Sequence, residues 1–187
     1  MIRVVGGEHG GRLLRTPPGS ESRPTSNRVR EAIFAMLGSV EGLEVLDLFA
    51  GSGALGLEAL SRGAAHATFV ERSPRALAAI RANVAALGVG DRSRVLARDW
   101  RAALAAERAA GSSYRLCLLD PPYRLLPSIA DQLVRDLAPL VPAGAMLVLE
   151  HAAGTPSPEL ASLPIASRVH RVYGDTAVTL ARLGAAP

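Results

Sequence analysis

The sequence predicts an α/β protein with a doubly wound, mostly parallel seven-stranded sheet of the Rossmann-like type and a small N-terminal β-hairpin extension. From residue 43 onward, short apolar runs alternate with segments of helical periodicity. The apolar runs are nearly continuous, which is typical of strands buried on both faces of a parallel sheet. The chain closes with two strand-like runs that flank Gly174-Asp175, a two-residue hairpin signal.

The N-terminal segment is predicted to form the hairpin, because residues 2–5 and 12–15 flank a glycine-rich turn. Pro17-Pro18-Gly19-Ser20 then breaks the chain. Asn27 is expected to cap a helix over residues 28–37, which Gly38 ends. The sequence therefore divides into a basic hairpin and linker over residues 1–26 and an α/β domain over residues 27–187.

The α/β domain follows element by element from apolar runs and helix signals. Ser73 and Pro74 are the cap and first residue of one helix. Predicted strands cover 44–49, 67–71, 94–97, 115–120, 145–150, 167–173 and 176–183, and predicted helices cover 54–62, 74–87, an Ala-rich stretch ending near 110, and 127–137.

Composition narrows the class of protein. The 187 residues suit a single domain, with 49% hydrophobic and 20% charged residues. Cys117 is the one cysteine, which excludes an internal disulfide framework and a multi-cysteine zinc site. The sequence shows no signal-peptide block and no apolar run near the ~20 residues that span a bilayer. We expect a cytoplasmic monomer without metal, in which Cys117 is buried and Asn83, His66, His151 and His170 lie at the surface.

The charge is concentrated at the N-terminus. All 21 basic residues are Arg, and residues 1–30 hold six of them against two acids, whereas the remainder is neutral. This asymmetry favours an arm for a polyanion. A solvated polar extension explains the charge equally well.

A nucleotide-binding loop is predicted after the first strand of the domain. Gly51, Gly53 and Gly56 fit G-x-G-x-x-G between a strand and a helix, and Glu71 ends the next strand. Such glycines allow close backbone approach to a ligand, and the acid accepts ribose hydroxyls. The alternative is a turn that merely packs the helix on the sheet.

Asp47 indicates which nucleotide the loop binds. A carboxylate at this strand end would repel a pyrophosphate but suits a cationic ligand with a ribose, such as S-adenosylmethionine. A nicotinamide dinucleotide fits the same glycine spacing, and Asp47 alone could be a loop-tethering residue. We expect cofactor contacts from Asp47, Phe49, Ala50, Gly51, Ser52, Gly53, Gly56, Glu71, Arg72, Asp99 and Trp100, although a helix cap with a half-buried Trp explains the last two equally well.

The tetrapeptide Asp120-Pro121-Pro122-Tyr123 follows the fourth strand and is the predicted catalytic element. An exocyclic base amine is a poor nucleophile because its lone pair is delocalised into the ring. The Asp120 carboxylate and the Pro121 carbonyl can accept hydrogen bonds from this amine and so orient its lone pair. Tyr123 can stack on the base. The alternative is a stiff strand exit followed by a surface tyrosine.

The sequence resembles the bacterial small-subunit ribosomal RNA guanine-N2 methyltransferases of the RsmD type. The resemblance spans almost the whole chain and is most specific at Arg23-Pro24-Thr25-Ser26-Asn27-Arg28-Val29-Arg30-Glu31; it includes residues 3–7, 11–14, 45–59 and 120–123. Asn27 stands where the family more often has Asp, and Tyr123 where Phe is also common.

The resemblance implies methyl transfer from S-adenosylmethionine to N2 of a guanine in 16S ribosomal RNA, within the small subunit or its assembly intermediate. It also implies that the N-terminal segment holds the RNA, with contacts expected from Arg3, Arg12, Arg15, Arg23, Thr25, Arg28 and Arg30. The residues alone leave three alternatives open: an adenine-N6 DNA or RNA methyltransferase, a nicotinamide dehydrogenase, and a non-catalytic RNA-binding assembly factor.

Overall fold

The computed structural model describes residues 2–17, 26–155 and 163–185, which form a small hairpin and a larger sheet flanked by helices. The helices are α1 Asn27–Leu37, α2 Ala54–Ser61, α3 Pro74–Leu87, α4 Trp100–Ala109 and α5 Leu126–Leu137. The strands are β1 Ile2–Arg3, β2 Leu13–Leu14, β3 Glu44–Leu48, β4 His66–Glu71, β5 Ser93–Ala97, β6 Leu116–Leu119, β7 Met146–Ala152, β8 Ile165–Tyr173 and β9 Thr176–Leu183.

The large sheet has the strand order β5-β4-β3-β6-β7-β9-β8. Strands β3 to β7 pair in parallel, and β9 pairs antiparallel with both β7 and β8. The predicted seven-stranded, mostly parallel fold with a closing hairpin is therefore confirmed. The order reverses at β3, which lies between β4 and β6, so this strand end is where a ligand crevice is expected.

The core forms two apolar layers, one on each face of the sheet. Because successive strand residues point to opposite faces, Val45 joins the layer covered by α1, α2 and α3, whereas Leu46 joins the layer covered by α4 and α5. Cys117 is buried in the second layer, as predicted. The burial of β3 on both faces explains why its sequence is nearly continuously apolar.

The predicted N-terminal hairpin is confirmed: β1 and β2 pair antiparallel, and the turn between them docks on α2. Glu58 accepts hydrogen bonds from the backbone N–H groups of Val5 at 2.6 Å and Gly6 at 2.9 Å. Ser61 Oγ donates to the Gly6 carbonyl at 2.6 Å and accepts from the His9 N–H at 2.9 Å. These bonds fix the hairpin against the domain. We call residues 2–17 the arm.

The cap of α1 differs from the prediction. Ser26 caps the helix, because its Oγ accepts from the N–H of Val29 at 3.2 Å. Asn27 is the first helical residue, and its Oδ1 accepts from Arg30 Nη2 at 2.7 Å and from the Arg3 N–H at 3.4 Å. Asn27 therefore joins the helix to the arm and leaves the cap to the residue before it.

Two polar residues expected at the surface are buried, so those expectations were wrong. Asn83 is 1% exposed and bonds to the arm and to the glycine loop. His151 is fully buried, with its ring 5.5 Å from that of His170 and its Nε2 3.5 Å from Thr179 Oγ1. Burial lowers the pKa of His151 and so favours the neutral form of the ring.

Over the described ranges 2–17, 26–155 and 163–185, none of the helices is both long and apolar enough to cross a membrane. The same residues hold no group of three or more His, Cys, Asp or Glu side chains placed to bind a metal ion.

Gly56→Ala is expected to destabilise the protein by about 1–3 kcal/mol, because a Cβ there would overpack a closed core. It would lie 2.5 Å from Phe69 Cε1 and 3.0 Å from Asp47 Oδ2, and both side chains are buried. Thermal unfolding should show a melting temperature lowered by roughly 2–4 °C per kcal/mol. Gly90→Ala is the matched control, since a Cβ there meets open space. Equal melting temperatures for the two variants would contradict this packing.

Candidate active site

Three neighbouring strand ends bring the predicted site residues to one edge of the sheet. In the register of the sheet, Leu48 of β3 pairs with Val70 of β4 and with Leu119 of β6. The glycine loop after β3 therefore lies between Glu71, which ends β4, and Asp120, which follows β6. The adjacency of β3 and β6 therefore brings the glycine loop and the tetrapeptide to the same edge of the sheet.

The loop after β3 runs through left-handed backbone. Phe49 has a φ of 66°, and Gly51 and Gly53 have φ values of 57° and 77°. A bulky residue with positive φ is strained, and such strain persists only where surrounding contacts hold it. The Ala50 N–H donates to the Val70 carbonyl at 3.0 Å, and the Gly53 N–H donates to the Ala50 carbonyl at 2.7 Å. The loop thus has a fixed, tight shape beside the strand ends.

Glu71 closes the loop from the side of β4. Its Oε2 accepts from the Gly51 N–H at 3.0 Å, and its Oε1 accepts from the N–H groups of Arg72 and Ser73, each at 2.8 Å. Ser73 occupies the N-cap position before Pro74, as predicted, but its side chain makes no capping hydrogen bond. The Glu71 carboxylate holds the backbone just before α3. The half-buried carboxylate stands where the sequence placed a ribose acceptor. Arg72 beside it is exposed and lies 3.9 Å from Asp99 Oδ2.

Asp47 has the tethering position that the sequence left as an alternative. It is 1% exposed, and its Oδ2 accepts from the Gly56 N–H in the first turn of α2 at 2.9 Å. Burial, together with the nearby charge of Glu71, raises the pKa of Asp47 to about 7, although the Gly56 bond opposes the shift. Residues 47–56 include no basic residue, so the loop itself contributes no positive side chain beside these two acids.

The raised pKa of Asp47 predicts a pH dependence of stability. The folded state binds the Asp47 proton more tightly than the unfolded chain does, so this group stabilises the fold at acidic pH. That contribution is lost as the pH rises from about 4 through about 7. Asp47→Asn should flatten this part of the stability profile in denaturant titrations at pH 5 and pH 8. Identical pH profiles for the two proteins would contradict the assignment.

Asp99 and Trp100 form a helix start, with the indole more buried than expected. Asp99 Oδ1 accepts from the Arg101 N–H at 3.0 Å and caps α4. Trp100 is 3% exposed, with its ring 6.3 Å from that of Phe49 and 4.5 Å from the Arg101 guanidinium carbon. Asp99 therefore caps α4 and the buried indole packs behind Phe49, while their contact with a cofactor stays a prediction.

The tetrapeptide after β6 exposes its aromatic ring on the side of β7 and β9. Asp120 is half-buried and its N–H lies 3.4 Å from the Leu48 carbonyl, whereas Tyr123 is 39% exposed. The Tyr123 hydroxyl lies 3.1 Å from Thr176 Oγ1 and 3.4 Å from Glu150 Oε1. Burial, together with the charges of Glu150 and Asp120, raises the pKa of Tyr123 to about 12, so it is a neutral hydroxyl at physiological pH.

Glu150 is a site residue that the sequence argument missed. It is 2% exposed at the carboxyl end of β7, the strand next to β6. An acid closing an apolar strand was the available signal, the same signal that identified Glu71. Only the pairing of β7 with β6 shows that Glu150 lies near Tyr123.

The residues expected to contact RNA separate into exposed and buried groups. Arg3, Arg12, Arg15 and Arg28 are exposed. Arg30 is fully buried, and its Nη2 donates to the Arg3 carbonyl and to Asn27 Oδ1, so the structure corrects that expectation to a structural role. Burial lowers the pKa of Arg30 against the opposing charges of Glu58 and Glu150. Arg23 and Thr25 lie outside the described residues.

Comparison with known proteins places the chain among methyltransferase relatives. A family model described as conserved hypothetical protein 95 matches residues 2–182. The protein named "Putative rRNA methyltransferase YlbH" from Bacillus subtilis is 35% identical over 96% of this chain and 97% of that protein. "Ribosomal RNA small subunit methyltransferase D" from Escherichia coli is 42% identical over 66% of this chain, a match that spans 61% of that protein.

Solved structures show the same fold. "Putative methyltransferase yhhF" from Escherichia coli superimposes with a TM-score of 0.81 at 33% identity, covering 99% of both chains. A hypothetical protein of Thermus thermophilus gives a TM-score of 0.80 at 34% identity over 96% of this chain and 98% of that one. The match thus includes both the arm and the α/β domain.

Proposed function

Because this chain belongs to the conserved hypothetical protein 95 family, that of the RsmD-type small-subunit ribosomal RNA methyltransferases, we propose that it methylates the exocyclic N2 amine of a guanine in 16S ribosomal RNA. The proposed cofactor is S-adenosylmethionine. The observation that carries the proposal is the adjacency of β3 and β6, which places the glycine loop and Asp120–Tyr123 at one strand edge. We assign the methyl transfer to residues 27–187 and part of the RNA binding to residues 1–26.

The residues at the edge of the sheet fit this cofactor better than a dinucleotide. S-adenosylmethionine supplies an activated methyl group on a sulfonium, and it carries a ribose but no phosphate. Glu71 offers carboxylate oxygens for the ribose hydroxyls, and residues 47–56 hold no basic side chain that could pair with a pyrophosphate. The backbone of residues 49–53 would hold the ligand by close approach. Phe49, half-buried in front of the buried Trp100, is the aromatic side chain of the loop itself.

The chemistry assigned to this chain is orientation of a weak nucleophile. Asp120 and the Pro121 carbonyl would each accept a hydrogen bond from the guanine amine, so that the lone pair of the amine points at the methyl group. Asp120 would hold the proton that the amine releases. Tyr123 would stack on the base, with its hydroxyl held by Thr176 and Glu150.

The geometry also supports an approach path for RNA. A cavity of about 310 Å³ lies between the start of α1 and the turn of the β8–β9 hairpin. Its lining includes Arg28, Tyr173 and Gly174. The same hairpin reaches Tyr123 through Thr176. The hairpin turn thus lies next to both Tyr123 and the start of α1, where Tyr173 and Arg28 offer a ring and a cation to a splayed single strand.

A transfer assay tests the proposal directly. Cofactor with a labelled methyl group is incubated with small ribosomal subunits, free 16S ribosomal RNA and duplex DNA, and the modified nucleoside is identified by mass spectrometry. We expect N2-methylguanosine from the ribosomal substrates. Equal labelling of duplex DNA as N6-methyladenine would replace the proposal with the adenine alternative, and RNA binding without label would favour the assembly factor. Preferential binding of NAD in calorimetry would favour the dehydrogenase.

Substituting exposed arginines of the N-terminal segment is expected to weaken RNA methylation without changing cofactor affinity. Each phosphate contact removed, as in Arg12→Ala, Arg15→Ala or Arg28→Ala, should lower the slope of binding against salt by about one. Binding of small subunits measured at several salt concentrations checks this. Arg108→Ala, on the exposed side of α4, is the control. Weaker cofactor binding in Arg28→Ala with unchanged RNA binding would contradict this division of roles.

A further inference from the structure

A buried side chain joins the arm to the glycine loop. Asn83 Oδ1 accepts from the Arg15 N–H at 2.7 Å, and Asn83 Nδ2 donates to the Arg15 carbonyl at 3.0 Å. The same Nδ2 donates to the Ser52 carbonyl at 2.9 Å. Both amide hydrogens and one oxygen lone pair of this 1% exposed side chain are therefore shared between the two segments.

On the side of the loop, the hydrogen bond from Asn83 reaches strained backbone. Ser52 stands between Gly51 and Gly53, which both have positive φ. The other side-chain acceptors of the loop act on either side of this point, where the Gly51 N–H donates to Glu71 and the Gly56 N–H donates to Asp47. Asn83 thus fixes the middle of a strained turn from the helix behind it, and losing that bond would widen the range of shapes that the turn adopts.

On the side of the arm, Asn83 holds the segment after β2, apart from the contacts that Asn27, Arg30, Glu58 and Ser61 make with the first half of the arm. Residues 5–9 are held on α2 by Glu58 and Ser61, whereas Arg15 is held on α3 by Asn83. The side chain of Arg15 is exposed while its backbone is fixed from beneath. A ligand that holds the outer surface of the arm in this position therefore also holds Asn83 in the conformation that bonds Ser52.

We propose that Asn83 is a positioning residue that couples RNA bound to the arm with cofactor bound to the loop, so that each ligand raises the affinity for the other. This inference rests on the proposed function, since it requires RNA at the arm and S-adenosylmethionine at the loop. The coupling is reciprocal by thermodynamic linkage, and its structural basis is that the arm and the loop bond to the same side chain.

Calorimetry with S-adenosylhomocysteine is carried out in the absence and presence of saturating small ribosomal subunits. The coupling is the affinity for S-adenosylhomocysteine with subunits divided by the affinity without them. We expect the wild-type ratio to be roughly fivefold or more, the lower end of typical coupling between two sites. Asn83→Ala should bring the ratio to about one. Asn83→Asp should do the same, because it keeps an acceptor for the Arg15 N–H but faces the two carbonyls with an oxygen in place of the donor.

Leu87→Ala is the matched control in the same helix. It opens a cavity in the core and lowers the melting temperature, but leaves the Asn83 bonds in place, so its affinity ratio should equal that of the wild type. The inference is overturned if the wild-type ratio is one, or if both Asn83 variants keep the wild-type ratio while losing only stability. A wild-type protein that methylates ribosomal RNA with a ratio of one would reject the coupling and retain the proposed function, whereas absence of methyl transfer would reject the function itself.

Discussion

Asp120→Ala is expected to lower the rate of methyl transfer to ribosomal RNA by about 10²–10⁴-fold, the range typical of a positioned proton acceptor. The variant removes the carboxylate that would orient the guanine amine and hold its proton. Asp120 follows β6 directly and lies beside the loop without belonging to it. Cofactor affinity should therefore remain that of the wild type. Single-turnover transfer of labelled methyl and calorimetry with S-adenosylhomocysteine measure the two quantities separately.

Two companion variants sharpen this test. Asp120→Asn keeps one oxygen acceptor and the side-chain size but loses the charge, so its rate should lie between those of the wild type and Asp120→Ala. Asp131→Ala removes an exposed carboxylate from α5 and should leave both rate and affinity unchanged. Near-normal turnover of Asp120→Ala would show that the assigned chemistry is wrong, whatever the cofactor affinity.

Glu58→Ala is expected to lower the free energy of unfolding by about 3–5 kcal/mol, because it removes one partner from a buried ionic cluster. The fully buried carboxylate accepts from the N–H groups of Val5 and Gly6 and pairs with Arg62 Nε at 2.7 Å. Its removal leaves two backbone donors without their acceptor and takes a counter-charge from the buried Arg30. Urea unfolding and trypsin cleavage at the arm arginines measure the global and the local effect.

The controls for this variant distinguish the charge from the hydrogen bonds. Glu58→Gln retains an acceptor oxygen for the arm while removing the charge, so it should lose less stability than Glu58→Ala. Glu41→Ala removes an exposed carboxylate and should change the free energy of unfolding by no more than about 0.5 kcal/mol. A Glu58→Ala protein with wild-type stability and an uncleaved arm would show that the cluster does not hold the arm.

The order and type of the elements were predictable because each signal is local. The apolar run of β3, the glycines after it and the turn at Gly174-Asp175 are each contained within about ten residues, the range over which periodicity and turn chemistry act. The same locality explains the error at α1: Ser26 and Asn27 are both good cap residues, and the contact of Asn27 with Arg3 decides between them.

What the sequence determined by itself is the alternation that produces the sheet, the glycine loop that follows Asp47, the acid Glu71 that ends the next strand, and the tetrapeptide that follows the fourth strand of the domain. What only the tertiary structure decided is which polar side chains are buried, because their hydrogen-bond partners lie far away along the chain. Asn83 meets Arg15 across 68 residues, and Glu58 meets Val5 across 53. A polar residue is stable in the interior only when its partners are present. No local pattern could therefore distinguish Asn83 from a surface residue, or Arg30 from the exposed arginines around it.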